Sequence, residues 1–269
     1  MTTRKLTKLA LATMLVACLA IAGAFVGCSS SSNTNANNNA NTTTASLQGK
    51  TLNIYCGAGM TDPFTKIADE FKAQTGCEVA VTYANAAQIQ TQIKTTESGD
   101  FFIAGSADEL QPVESYVASK TDLVKHIPVL AVPNDSAITS FADLANCKTL
   151  LIGDPESTPI GKIAKKALTT AGIWEGLSAS GAITTTTTAP QIAAALARGE
   201  GDAGIVWKEN VKADGVKILD CTEMSAMIKT IPAAQLTCCA DQDAAAEFVK
   251  FLGTDTAKNI WTSYGYELV

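Results

Sequence analysis

The stretch Thr51-Leu-Asn-Ile-Tyr-Cys-Gly-Ala-Gly-Met-Thr-Asp-Pro-Phe-Thr-Lys-Ile-Ala-Asp-Glu-Phe-Lys-Ala-Gln-Thr-Gly76 reads as one structural unit. Thr51 to Tyr55 is a short, mostly apolar run of the kind that forms a buried strand. Small residues follow at Gly57-Ala-Gly59. Thr61 is placed to cap a helix and Pro63 sits in its opening turn. Phe64, Ile67, Ala68 and Phe71 recur at helical spacing, and Gly76 supplies the stop. A strand that turns tightly into an amphipathic helix is the repeating element of a parallel sheet crossed by helices.

The same alternation runs outward to the C-terminus. Further strands are expected at Glu78 to Tyr83, Phe101 to Ala104, Val129 to Val132, Thr149 to Ile152, Gly204 to Trp207 and Val216 to Leu219. Helices are expected at Ala87 to Thr95, Ala107 to Ala118, Ile160 to Ala171, Gln191 to Ala197, Asp241 to Leu252 and Thr254 to Tyr264. The fold class is therefore α/β, and the alternation is long enough for two lobes rather than one small core.

The 269 residues are 46% hydrophobic and 17% charged, a globular composition. Net charge is -6, and three of the cations, Arg4, Lys5 and Lys8, precede Cys28, so the remainder is more acidic still. Such a surface repels polyphosphate, and nucleic acid is not expected as a partner. Only the run between Lys8 and Cys28 approaches the length that crosses a bilayer. Its basic start, apolar middle and small-residue end read as an export signal over residues 1–28. Residues 29–48 are rich in Ser, Asn, Thr and Ala and read as a flexible polar linker.

Cys56, Cys77, Cys147, Cys221, Cys238 and Cys239 remain after the signal. Their even number in an exported chain permits disulfides. Mostly buried free thiols are the favoured reading, because a core of this size needs no staples. The pair Cys238-Cys239 falls in a strand-like stretch from Ala233 to Ala240. No Cys-x-x-Cys pair appears, so neither a zinc site nor a thioredoxin-type site is expected.

Four strand-to-helix junctions have small or Pro-containing turns: Gly57 to Met60, Asn85 to Ala87, Asp154 to Gly161 and Thr188 to Pro190. The first N–H groups of a helix lack intrahelical partners and carry the positive end of its dipole, so such turns can hold an anion without a cationic side chain. Each one taken alone is equally an ordinary capped loop.

Taken in order, these segments resemble the molybdate-binding proteins of ABC importers, members of the type II periplasmic-binding fold. The segment Cys56 to Asp62 is similar to that family's Ala-rich turn ending Ser-Leu-Thr-Asp, and Tyr83 to Ile93 to its Ser-rich second helix start. Gly99 to Asp108 resembles its next strand. Gly153-Asp-Pro-Glu-Ser-Thr-Pro-Ile-Gly161 resembles its Gly-Asp-Pro loop, Gly199 to Trp207 its segment ending Gly-Ile-Val-Tyr, and Trp261 to Val269 its closing helix and tail. Phe25-Val-Gly-Cys28 resembles a bacterial lipobox with Phe where Leu is usual, making Cys28 the expected lipidated residue. Leu15-Val-Ala-Cys18 fits that pattern too but would leave an apolar run at the mature N-terminus.

The resemblance implies two α/β lobes joined by two crossing hinge strands, near Ile127 to Val132 and Ile231 to Leu236. Lobe 1 would comprise 49–127 and 232–269, and lobe 2 would comprise 128–231. It implies an extracytoplasmic, lipid-anchored, monomeric solute-binding protein that delivers a small tetrahedral oxyanion, molybdate or tungstate, to an importer permease. No enzyme activity and no cofactor are implied. The implied ligand positions are Gly59, Met60, Asn85, Ala86, Ala87, Ile160, Ala189 and Trp207.

At three of these the family has a hydroxyl, two Ser and one Tyr, where this chain has Gly59, Ala86 and Trp207. The Asn85 amide, the Trp207 indole N–H, and Thr61, Thr158 or Thr188 offer replacement donors. The same changes also suit a different ligand, a larger anion or a metal species. Trp207 is otherwise a core residue. The sole histidine, His126, precedes Ile127-Pro128 and reads as a partly exposed hinge residue, with no accompanying pattern for a catalytic base. Cys56 and Met60 lie near the first turn, but two soft groups do not make a coordination sphere. Thr184 to Thr188 reads as an exposed strand or loop. An exported enzyme lacks a Ser-His-Asp, Cys-His or metal-ligand pattern here, and a ligandless sensor or interaction module remains a rival reading.

Overall fold

The computed structural model describes residues 46–212 and 214–269. The expected signal, the lipidation site Cys28 and the linker up to residue 45 lie outside the described residues. The last part of the expected linker does not: Leu47 is buried, and its N–H donates to the Thr75 carbonyl at 2.8 Å, so the globular part already includes it.

The chain opens with β1 (Thr51–Gly57), α1 (Thr61–Thr75), β2 (Glu78–Ala84), α2 (Ala86–Thr96) and β3 (Phe101–Ile103). β1 lies between β2 and β3, parallel to both. Side chains alternate across a strand, and β1 shows the consequence. Leu52, Ile54 and Cys56 join Phe64, Ile67 and Phe71 of α1 on one face, while Tyr55 joins Ile89 and Ile93 of α2 on the other. Gly76, at φ 77°, ends α1 in the left-handed conformation that glycine adopts without strain.

The helix expected over Ala107 to Ala118 is a correction. Residues Ala107–Tyr116 wind as 3-10 turns broken at Val113, and the chain then enters a strand. Pro112 lacks the N–H that a regular helix would use there. The strand, β4 (Val117–His126), buries only Val124 and His126 and so carries no apolar alternation. Ile127 alone separates it from β5 (Pro128–Pro133).

From β5 the chain builds a second sheet. β6 (Leu150–Gly153), α3 (Pro159–Thr170), α4 (Trp174–Ala179), β7 (Ile183–Thr186), α5 (Ala189–Ala197), β8 (Ala203–Trp207), β9 (Val216–Leu219) and α6 (Thr222–Ser225) follow in turn. β7 is the expected Thr-rich exposed strand. The sheet order is β7-β6-β8-β5-β9, with β6 parallel to its neighbours and β5 antiparallel to both of its own. Its core gathers Leu130, Val132, Leu150, Ile152, Ile205 and Val206 with Ile160, Leu168, Ile192 and Leu196 from α3 and α5.

The chain returns through β10 (Lys229–Leu236), then α7 (Gln242–Leu252), α8 (Asp255–Ser263) and β11 (Glu267–Leu268). β10 pairs antiparallel with β3 and β4, giving the first sheet the order β11-β4-β10-β3-β1-β2. A register shift at Ile231/Pro232 accommodates the proline, which cannot donate to the ladder. β10 ends at Leu236, so Cys238 and Cys239 lie in a turn rather than in a strand; the Cys239 N–H donates to Leu236 O at 3.1 Å. α7 brings Phe248 against Phe64, Phe71 and Phe101, with ring centroids 5.0 to 6.4 Å apart.

Each sheet thus has its own core, and the covalent connections between them are Ile127 and the segment from α6 to β10. The six described cysteines are free: Cys56, Cys77, Cys147 and Cys239 are buried, Cys221 and Cys238 partly so. No helix among the described residues is long and apolar enough to cross a membrane.

Candidate ligand cleft

A cleft of about 190 Å³ opens where the two lobes face each other. The first lobe contributes Ala58, Gly59, Thr61, Asp62 and Pro63 at the start of α1, together with Tyr264 and Tyr266 after α8. The second contributes Pro190 in the first turn of α5, then Glu209, Asn210 and Lys212 beyond β8. Two helix starts from separate lobes therefore meet at one cavity.

At the α1 start, residues Ala58–Met60 form a 3-10 turn that runs directly into the helix. Gly59 has open space where a Cβ would stand, whereas Met60 sends its side chain into the lobe core. Met60 itself is buried and does not line the cavity. Pro190 places the α5 start, and the N–H groups of Thr187 and Thr188 are taken by the Gln191 carboxamide oxygen at 3.1 and 3.2 Å. Ala189, one residue before the lining proline, is half-buried beside the second core.

The other two starts do not line this cavity. Asn85 and Ala87 border a broad depression along the exposed side of α2 instead, with Ala86 between them. Ile160 is buried in the second core. Asn85 serves as a helix cap: its side-chain oxygen accepts from the Gln88 N–H at 2.9 Å. Two of the three possible replacement threonines, Thr61 and Thr158, are also committed locally. Thr61 Oγ1 donates to Ala58 O at 2.8 Å, and Thr158 Oγ1 donates to Asp154 O at 2.8 Å while accepting from Gly161 N at 3.1 Å. Capping satisfies donors and acceptors that would otherwise be orphaned at a helix start, which is why short polar side chains turn back there.

Trp207 is buried, and its ring lies flat against His126, with centroids 3.5 Å apart and planes 19° from parallel. This stack joins the end of β8 to the end of β4, across the lobes. The expectation of a partly exposed His126 is corrected: only 9% of the residue is accessible. Its Nδ1 faces the Gly105 carbonyl at 2.9 Å and its Nε2 faces Glu209 Oε1 at 3.0 Å. Glu209 is buried as well. Behind Gly105, the Glu109 carboxylate accepts the Gly105 N–H at 2.8 Å. Burial pushes the Glu109 carboxyl above its ordinary value, against the pull of that N–H. Burial, with Glu209 beside it, pushes the Tyr266 phenol up also.

At the mouth, Lys66 and Lys212 place their ammonium groups 5.3 and 5.1 Å from the Tyr264 ring centroid, one from each lobe. Lys208 pairs with Glu267 on β11, another contact between lobes. Glu209, Asn210, Lys212, Tyr264 and Tyr266 were not legible as site residues. They lie in a 3-10 turn after β8 and in the tail after α8, and only the folded chain brings those segments together. No group of side chains among the described residues could hold a metal ion.

A two-lobed α/β molecule with a polar cleft between lobes is the architecture of a binding protein, and the chain belongs to the bacterial extracellular solute-binding protein family, whose model matches residues 52–267. Within that family it is similar to the putative ABC transporter substrate-binding lipoprotein YvgL of Bacillus subtilis, 26% identical over 249 residues that cover 89% of this chain and 92% of YvgL. It is 30% identical to the molybdate-binding protein ModA of Escherichia coli over 188 residues, 64% of this chain and 71% of ModA. The substrate-binding domain of a putative molybdenum ABC transporter from Clostridium difficile superposes with a TM-score of 0.70 at 25% identity, covering 82% of this chain and 100% of that domain. The fold is that of the type II periplasmic-binding proteins.

Proposed function

We propose that this protein is the solute-binding subunit of an ABC importer and that it takes a small tetrahedral oxyanion, molybdate or tungstate, in the cleft between its lobes. The observation that carries this reading is the meeting of the α1 and α5 starts at one cavity, with Gly59 and Pro190 both in its lining. Main-chain N–H groups at helix starts attract anions through their unpaired hydrogens and the helix dipole; at α5 the Thr187, Thr188 and Gln191 N–H groups are bonded internally and Pro190 has none, so Ala189 is the donor proposed there. The names of ModA and of the Clostridium difficile domain support the choice of ligand. The ligand set proposed is the main chain of Gly59, Met60 and Ala189; Asn85, Ala86, Ala87, Ile160 and Trp207, expected from the resemblance, lie outside this cavity.

The same reading places the protein outside the cytoplasmic membrane, tethered through a lipid on Cys28 and working as a monomer that docks on a permease. The lipoprotein relative from Bacillus subtilis supports the tether. Closing of the lobes over the ligand is the hinge switch that a permease can sense.

Titration calorimetry of the untagged chain from Ser29 with molybdate, tungstate, sulfate and phosphate tests the ligand. Submicromolar, one-to-one binding of the first two is expected. Heat from sulfate or phosphate alone, or from none of the four, contradicts it.

A further inference from the structure

The His126 ring is bracketed by acceptors. Nδ1 faces a carbonyl oxygen, which has no proton to give, and Nε2 faces a carboxylate oxygen. Against an ionised Glu209, a neutral imidazole with one N–H and one bare nitrogen satisfies only one of these contacts, whereas an imidazolium donates to both. The stack on Trp207 agrees with this, since an indole face attracts a cation. The ring is buried between lobes, where a lone charge is costly and a compensated pair is not.

The charged and titratable groups around the ring are few. Glu209 touches it from the second lobe. Glu109 lies behind Gly105, and Tyr266 stands 6.2 Å away, ring to ring. Lys229 lies opposite His126 in the β4–β10 ladder but is held by Asp108 at 2.6 Å, and Lys208 is held by Glu267. Lys212 and Asp62 line the same cleft as Glu209, Lys212 lying over the Tyr264 ring, and neither pairs with Glu209; among the described residues His126 is the one cationic partner within ion-pairing distance of that carboxylate.

We infer that His126 is a positioning residue of the ligand cleft: as a double donor between Gly105 and Glu209 it cancels the carboxylate charge in the cleft wall, so that an anion can bind beside it. This rests on the anion reading above. Without His126 the cleft would present a buried Glu209 with no ion-pair partner in contact, in addition to Asp62 at its rim, and like charges repel most where water is scarce. The contact also spans the lobes, so charge cancellation and lobe approach are achieved together.

The chain has a single histidine, so the imidazole ¹⁵N signals of an untagged, labelled chain from Ser29 belong to His126 alone. At pH 7 the inference expects both ring nitrogens to carry hydrogen; a bare Nε2 overturns it. That measurement needs no ligand and no variant, and so stands apart from the ligand question. For binding, His126→Gln should weaken molybdate affinity by about tenfold or more, as an unpaired buried charge implies. Adding Glu209→Gln to that variant should bring affinity back to within about threefold of the wild type. A double variant as weak as the single one would show His126 to be a packing residue and overturn the inference. Absence of molybdate binding by the wild type would instead count against the proposed ligand.

Discussion

Gly59 is the residue at which one added hydroxyl changes most. Nothing lies within 4 Å of the position its Cβ would take, so a serine fits without displacing a neighbour. A hydrogen bond to a charged acceptor contributes about 1.5 to 3 kcal/mol. Gly59→Ser should therefore tighten molybdate binding by about tenfold or more in calorimetry, and an unchanged affinity would place the anion elsewhere. Glu109 makes a second residue-scale prediction. Its carboxyl is raised by burial, so it holds its proton better folded than unfolded. The sign follows: its contribution to stability is full below the ordinary carboxylate value, about 4.3, and is lost as pH rises through the raised value. Glu109→Gln keeps an acceptor for the Gly105 N–H and removes that slope. Urea midpoints measured at pH 4 and pH 7 should differ less in the variant than in the wild type.

At the scale of elements, the α3 start depends on two glycines packed together. A Cβ on Gly161 would stand 2.3 Å from Gly153 O and 2.4 Å from Asp154 O, both main-chain atoms that cannot swing aside. Gly161→Ala should cost about 2 to 3 kcal/mol or more, read as a lower urea midpoint. The thiols belong to this scale too, since their elements bury them. Burial, with Asp202 adding to it, pushes the Cys147 thiol up to about 11, and burial with Asp100 does the same for Cys239. In the chain from Ser29, six reactive thiols should be counted in denaturant without reductant, with Cys56, Cys77, Cys147 and Cys239 silent in the native protein; a count below six would reveal a disulfide. The strands β3, β5, β6 and β8 were legible because both faces of a buried strand are apolar, and β1, β2 and β9 through their β-branched residues. β4 was not, because few of its side chains are buried and its place is set by pairing with β10 and β11. The helical pattern over Ala107 to Ala118 misled because apolar spacing cannot register the N–H that Pro112 lacks.

Across the whole molecule, the cleft was legible only in part. The Gly57 to Met60 turn and the Thr188 to Pro190 turn announce themselves by small residues and a proline before a helix, and the folded chain puts both at one cavity. Glu209 and Tyr266 carry no local signal, since their role comes from segments 57 residues apart meeting at the lobe junction. What joins the lobes there is a short set of contacts: the His126–Trp207 stack, the His126–Glu209 pair, the Lys208–Glu267 pair and the lysines about Tyr264. These can be remade as the lobes move, which a hinge requires and a fused core would forbid. The proposed function requires a small oxyanion between the lobes at the α1 and α5 starts. Anomalous diffraction from crystals grown with molybdate locates the metal atom directly. A single strong peak is expected between Gly59 and Ala189, within hydrogen-bonding reach of their N–H groups through the oxyanion's oxygens. A peak outside the cleft, or none at saturating molybdate, would contradict it.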